Sequence, residues 1–145
     1  MQLVPDSLFS DAILIDTSAA LALSNPTDEY YDFAQSFLAS SLGKVLVVLN
    51  FTKYESYTRA RYDLGYSDAI SLYYFLSSAS FYQVFFDEKD EEEARLLLEK
   101  YDDQDLSFHD ALCATVMKKF GIYKAFAFDK HFYVLGFEVY PGVVH

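Results

Sequence analysis

Five short apolar runs, separated by stretches of helical periodicity, limit what this chain can fold into more than any other feature. Ala12 to Ile15, Val45 to Leu49, Phe81 to Phe86, Lys124 to Phe128 and Phe137 to Tyr140 are brief and rich in β-branched or aromatic side chains. Runs of that length and composition read as strands. Strands alternating with helices imply an α/β fold, a three-layer α/β/α arrangement with a central parallel sheet of about five strands and right-handed crossovers. At 145 residues, a single domain over 1–145 accounts for the whole length.

The helices between these runs carry start and stop signals. Asp16 closes the first run, and Thr17 to Leu23 continues in helix-forming residues. Asn25 with Pro26 reads as a cap and first position of the next helix, with Tyr30, Phe33, Ala34, Phe37 and Leu38 as its stripe and Gly43 as its stop. A helix from Thr52 to Leu64 ends at Gly65, and Ser67 starts another. Asp87 caps an acidic helix start at Glu88 to Glu93, the end of a helix where negative charge is favoured. Ser107 and Asp110 have capping-box spacing; Phe108, Ala111, Leu112, Thr115 and Val116 share a face, and Gly121 ends that helix.

Cys113 is the only cysteine, which excludes an intrachain disulfide and a cysteine-rich metal site and suits reducing cytoplasm. The first residues have neither a basic region nor an apolar core, and no run approaches the ~20 apolar residues of a membrane span. Export and membrane anchoring are therefore not expected. Eleven basic against twenty-two acidic residues give a net charge of −11, the wrong sign for coating nucleic acid through a broad positive field. Lys53, Arg59, Arg61, Lys118, Lys119, Lys124 and Lys130 fall in the two segments that also hold the carboxylates of interest. They are expected to form a local groove.

Those carboxylates are Asp16, Glu55, Asp110 and Asp129. Asp16 and Asp129 end the first and fourth strands, and Glu55 and Asp110 lie near the starts of helices that follow the second and third strands. In an open parallel sheet all four belong to the carboxyl edge, where ligands bind. Unit charges ~4 Å apart repel by about 4 kcal/mol at an effective dielectric of 20, so four ionised acids in one pocket call for a cation or for protons. Mg²⁺ or Mn²⁺ suits carboxylate oxygens, water and phosphate.

At these residues the chain resembles the PIN-domain nucleases, and among them the VapC-type toxins of bacterial toxin–antitoxin pairs. The resemblance runs over almost the whole chain and rests on Ile15-Asp16-Thr17-Ser18, Thr52-x-x-Glu55, Leu106 to Ala111 and Ala127 to Phe132. It implies a Mg²⁺-dependent endoribonuclease in which Asp16, Glu55, Asp110 and Asp129 hold the ion directly or through water. The ion would acidify a bound water and stabilise charge on the scissile phosphate. Thr17, Ser18 and Thr52 would orient the carboxylates by hydrogen bonds. It further implies an RNA substrate, a homodimer, and a small antitoxin whose tail enters the groove. The eleven residues before Ala12 are longer than the family's usual start.

Each acid also has an ordinary structural role open to it. Asp16 can cap a helix, Asp110 can close its box with Ser107, Glu55 can pair with Arg59 at i+4, and Asp129 can sit in a turn. The rival function is accordingly a catalytically weak PIN-like module that binds a protein partner and uses its acids structurally. Asp105 reads as a solvated loop residue, His109 and His131 as packed or turn histidines, and Cys113 as inert core. Tyr54, Tyr57, Tyr62, Tyr66, Tyr73 and Tyr74 read as a partner interface. The five glycines match neither a dinucleotide fingerprint nor a Walker loop. Asp16 also lacks the second aspartate that a HAD-type phosphatase would place two residues on.

Overall fold

The computed structural model describes residues 9–143. Five parallel strands form one sheet: β1 (Ile13–Ile15), β2 (Leu46–Leu49), β3 (Phe81–Val84), β4 (Lys124–Phe126) and β5 (Glu138–Tyr140), in the order β3-β2-β1-β4-β5. The chain builds outward from β1 in one direction and then in the other, so the order reverses between β1 and β4. Ile13, Leu14 and Ile15 lie opposite Lys124, Ala125 and Phe126. The expected fold class stands. The strands are shorter than the apolar runs that announced them, because β4 stops at Phe126 and the Phe128 N–H donates to Ser18 Oγ at 2.9 Å.

Alternate strand residues feed two cores. Leu14, Val47, Leu49, Ala125 and Val139 face α5 (Glu88–Lys100), α6 (Phe108–Phe120) and α7 (His131–Val134), burying Ala94, Ala111 to Ala114, Val116, Met117 and Phe132. Ile13, Ile15, Leu46, Val48, Phe81 and Phe126 face α1 (Thr17–Ser24), α2 (Tyr31–Ser40), α3 (Asn50–Asp63) and α4 (Tyr66–Leu76), burying Ala19, Ala20, Ala34, Ala60 and Ala69. A strand apolar on both sides is held this way because each fully buried Leu or Ile is worth about 1.5–3 kcal/mol. The many alanines let the helices lie close to the sheet.

One helix boundary differs from expectation. Asn25 does not cap a helix at Pro26: its Oδ1 accepts from the Thr27 N–H and hydroxyl, and Asp28 Oδ1 accepts from the Tyr30 N–H. These local side-chain turns satisfy the backbone without a helix, so α2 begins at Tyr31. The short helix α7, directly after Asp129, carried no helical periodicity of its own. Of the eleven leading residues, 1–8 lie outside the described residues. Phe9 packs edge-on against Tyr82 and beside Phe120, and Asp11 pairs with Lys44 at 2.8 Å and with Lys124. No described helix is long and apolar enough to cross a membrane.

Candidate active site

The four carboxylates line one hollow at the carboxyl edge of the sheet, together with Thr17, Ser18, Arg59, Asp105, Ser107, His109 and His131. It lies where the strand order reverses, the position at which open parallel sheets bind ligands. Asp16 arrives there as the N-cap of α1. Its Oδ2 accepts from the Ser18 N–H at 3.0 Å and the Ser18 hydroxyl at 2.5 Å. Ser18 Oγ in turn receives the Phe128 N–H, so one hydroxyl ties the ends of β1 and β4 together. Asp110 closes its capping box: its N–H donates to Ser107 Oγ at 3.0 Å, and the Ser107 N–H donates to its carboxylate at 3.2 Å. In both places a residue of the helix start is also a residue of the site, because a helix that starts at this edge points its first turn into the hollow.

Two histidines stand among the acids of this hollow. His109 Nδ1 lies 3.4 Å from Asp16 Oδ1 and 3.9 Å from Glu55 Oε1, and Nε2 lies 2.6 Å from Thr52 Oγ1 and 3.5 Å from Thr17 Oγ1. Neither of these Nδ1 contacts is an aligned hydrogen bond, and Nδ1 also lies 3.9 Å from Cys113 Sγ. Phe51 meets the ring edge-on at 5.5 Å. The reading of His109 as a packed histidine holds, but both its nitrogens are engaged at the site. Thr17 and Thr52 consequently act through His109, and of the three expected orienting residues Ser18 alone bonds a carboxylate directly. Glu55 faces this histidine, and among the described residues no ion pair joins it to Arg59.

At the second histidine, Asp110, Asp129 and His131 bring one ligand atom each within 4.8 Å of one another. Asp129 Oδ1 accepts from the His131 N–H at 2.8 Å. Burial, then the charges of Asp16 and Asp129, push the Asp110 carboxyl up to about 6 against the pull of the Ser107 N–H. His131 Nδ1 is buried without an aligned hydrogen bond, although Asp129 Oδ1 is 2.8 Å away. A carboxyl pushed up by burial and neighbouring charge, and a buried ring nitrogen without a hydrogen-bond partner among carboxylates, are groups that a bound cation would satisfy, so the residues present fit a divalent ion. Cys113 lies 3.5 Å from His109 Nε2, but complete burial holds its thiol well above the ordinary range, and it remains a core residue.

The expected basic groove does not form. Lys119 pairs with Asp87 and Asp90, Lys124 pairs with Asp11, and Lys53 is buried over the Tyr73 ring. Arg59 is the one member of the set that lines the hollow. Basic residues close in sequence were spent on neighbouring acids because surface pairs form wherever a partner is within reach. Asp105, exposed at the rim, has a left-handed backbone at φ 56, the only positive φ outside glycine among the described residues.

Comparison with known proteins gives the family. The PIN-domain pattern matches residues 13–138. The chain belongs to the PIN-domain family. It is 32% identical over 130 residues to the 23S rRNA-specific endonuclease VapC20 of Mycobacterium tuberculosis, covering 89% of this chain and 98% of that protein. The crystal structure of VapC20, described as a sarcin–ricin loop cleaving toxin, superposes with a TM-score of 0.82 at 30% identity, over 86% of this chain and 95% of that one. FitAcB from Neisseria gonorrhoeae shares the fold at 17% identity and a TM-score of 0.65, over 88% and 95% of the two chains. The PIN domain is thus of the VapC-like kind.

Proposed function

We propose that this PIN protein is a metal-dependent endoribonuclease, the toxin half of a VapBC-type pair, acting as one domain over 1–145 in the cytoplasm. The observation that carries the reading is the gathering of Asp16, Glu55, Asp110 and Asp129 around one hollow in a chain so similar to an rRNA endonuclease. Mg²⁺ or Mn²⁺ is the cation, held by these four acids; when bound it supplies Lewis acidity that activates water at neutral pH and offsets charge on the scissile phosphate. Ser18 fixes Asp16 Oδ2 through its N–H and its hydroxyl, so that carboxylate is oriented before the ion or RNA arrives, and His109 Nδ1 lies beside Oδ1 at 3.4 Å. Arg59 at the rim gives a phosphate a cationic contact on a protein whose overall charge repels RNA. Structured rRNA loops are the substrate class favoured by the likeness to VapC20. A small antitoxin is the protein partner.

The test is cleavage of a ribosomal RNA loop and of unstructured RNA by purified protein. Cutting is expected only with Mg²⁺ or Mn²⁺, and Asp16→Asn is expected to abolish it. Undiminished cutting in excess EDTA, or by that variant, would overturn the metal mechanism, and no cutting of either RNA with either ion would favour the interaction-module reading.

A further inference from the structure

We propose that His131 is a nitrogen ligand of the cation held by Asp110 and Asp129, so that this centre takes Mn²⁺ or Zn²⁺ more tightly than Mg²⁺. The proposal rests on the metal-dependent reading above and names a residue that reading does not use.

The backbone turn Asp129-Lys130-His131 is closed by the His131 N–H on Asp129 Oδ1. That places the ring, its side chain 18% exposed, with Nδ1 2.8 Å from Asp129 Oδ1 and 3.4 Å from Asp110 Oδ2. Neither contact is an aligned hydrogen bond, and Nδ1 is buried from water. If Nδ1 carries its hydrogen, a buried donor points at no acceptor; if it carries its lone pair, that pair faces two carboxylate oxygens. Both arrangements are unfavourable for a buried polar atom. A cation among the three atoms satisfies the lone pair and both oxygens at once. With metal–ligand bonds of about 2.0–2.2 Å, two donors on one ion stand roughly 2.8 to 4.4 Å apart. The two measured separations lie inside that span. His109 offers a contrast within the same hollow: its Nε2 is paired with Thr52 Oγ1 at 2.6 Å and its Nδ1 has Cys113 Sγ at 3.9 Å, so neither ring nitrogen is left without a partner.

An imidazole in an otherwise all-oxygen set changes ion choice. Mg²⁺ favours oxygen donors and retains its waters, whereas Mn²⁺ and especially Zn²⁺ accept nitrogen. The experiment uses the full chain freed of metal, titrated calorimetrically with Mn²⁺ and with Mg²⁺ in the absence of RNA, and then pulsed EPR on the bound Mn²⁺. The expected result is a ¹⁴N coupling in wild type that persists in His109→Gln and disappears in His131→Gln. In His131→Gln, Mn²⁺ affinity should also fall at least about 10-fold, while Mg²⁺ affinity changes by less than about 3-fold. Bound Mn²⁺ without ¹⁴N coupling in wild type overturns the proposal, as does a coupling lost in His109→Gln. Neither overturning result depends on His131→Gln folding. Absence of binding of either ion by wild type would instead sink the metal-dependent reading itself.

Discussion

Asp110 carries the sharpest conflict in the protein. Its carboxyl is buried beside two other acids and is pushed from the ordinary 3.8 up to about 6, yet the same carboxylate accepts the Ser107 N–H that starts α6. A raised acid holds its proton more tightly in the folded state than in the unfolded chain. Its contribution to stability is therefore full below about pH 4 and lost as the pH rises through about 6. The metal-free protein is expected to lose on the order of 2–3 kcal/mol from this residue over that range. Asp110→Asn keeps an oxygen for the Ser107 N–H and removes the charge, so at pH 7 the variant without metal should be the more stable protein. Urea unfolding at pH 4 and pH 7 checks both statements, and a less stable variant at pH 7 would assign Asp110 to the cap alone. In wild type, Mg²⁺ is expected to raise the melting temperature at pH 7 and to do so less below pH 6, where protons compete for the same oxygens.

Between elements, the join that builds the site is Ser18, on α1, bridging the ends of β1 and β4. Its hydroxyl receives the Phe128 N–H and donates to Asp16. Ser18→Ala leaves that N–H without its partner and removes one of the two hydrogen bonds on Asp16 Oδ2, the backbone N–H of residue 18 keeping the other. The expected cost is about 1–3 kcal/mol in unfolding free energy, with a fall in RNA cleavage of roughly 10-fold or more. Hydrogen exchange at the Phe128 amide, faster in the variant, separates a local loosening of this join from general destabilisation. In helix α6 the residues from His109 to Met117 are all buried, so its apolar length is core and its polar first turn is forced into the hollow. The Ser107–Asp110 spacing was legible as a helix start, and the structure makes it a site residue as well.

For the molecule as a whole, charge and exposed aromatics set its associations. Removing the four site acids from −11 still leaves −7, and Arg59 is the one lysine or arginine among the residues that line the hollow. On the proposed reading, contact with RNA would therefore depend on the cation and on shape. Tyr54, Tyr62, Tyr66 and Tyr74 are 52%, 85%, 58% and 67% exposed on α3 and α4, a surface that a partner would cover. Light scattering at micromolar concentration is expected to give twice the 16.6 kDa chain mass, reverting to one chain in a Tyr62→Asp, Tyr66→Asp double variant. A monomeric wild type would assign this surface to another partner.

Local chemistry by itself determined the order of strands and helices, the caps at Asp16, Asp87 and Ser107, the stop at Gly121, and the placing of four carboxylates at one sheet edge. Periodicity and capping act within a few residues, so they are readable along the chain. The false helix start at Asn25 fits the same rule, because two side-chain turns competed locally with a cap and won. Only the tertiary structure decided that β1 and β4 are neighbours and that two histidines stand among the acids. It also decided that Thr17 and Thr52 reach Asp16 through His109, and that Lys119 and Lys124 are spent on Asp90 and Asp11. These depend on separations of a few ångströms between residues tens of positions apart, for instance 57 positions between Thr52 and His109. Packing of helices on the sheet sets such distances, and neither residue type nor spacing encodes them.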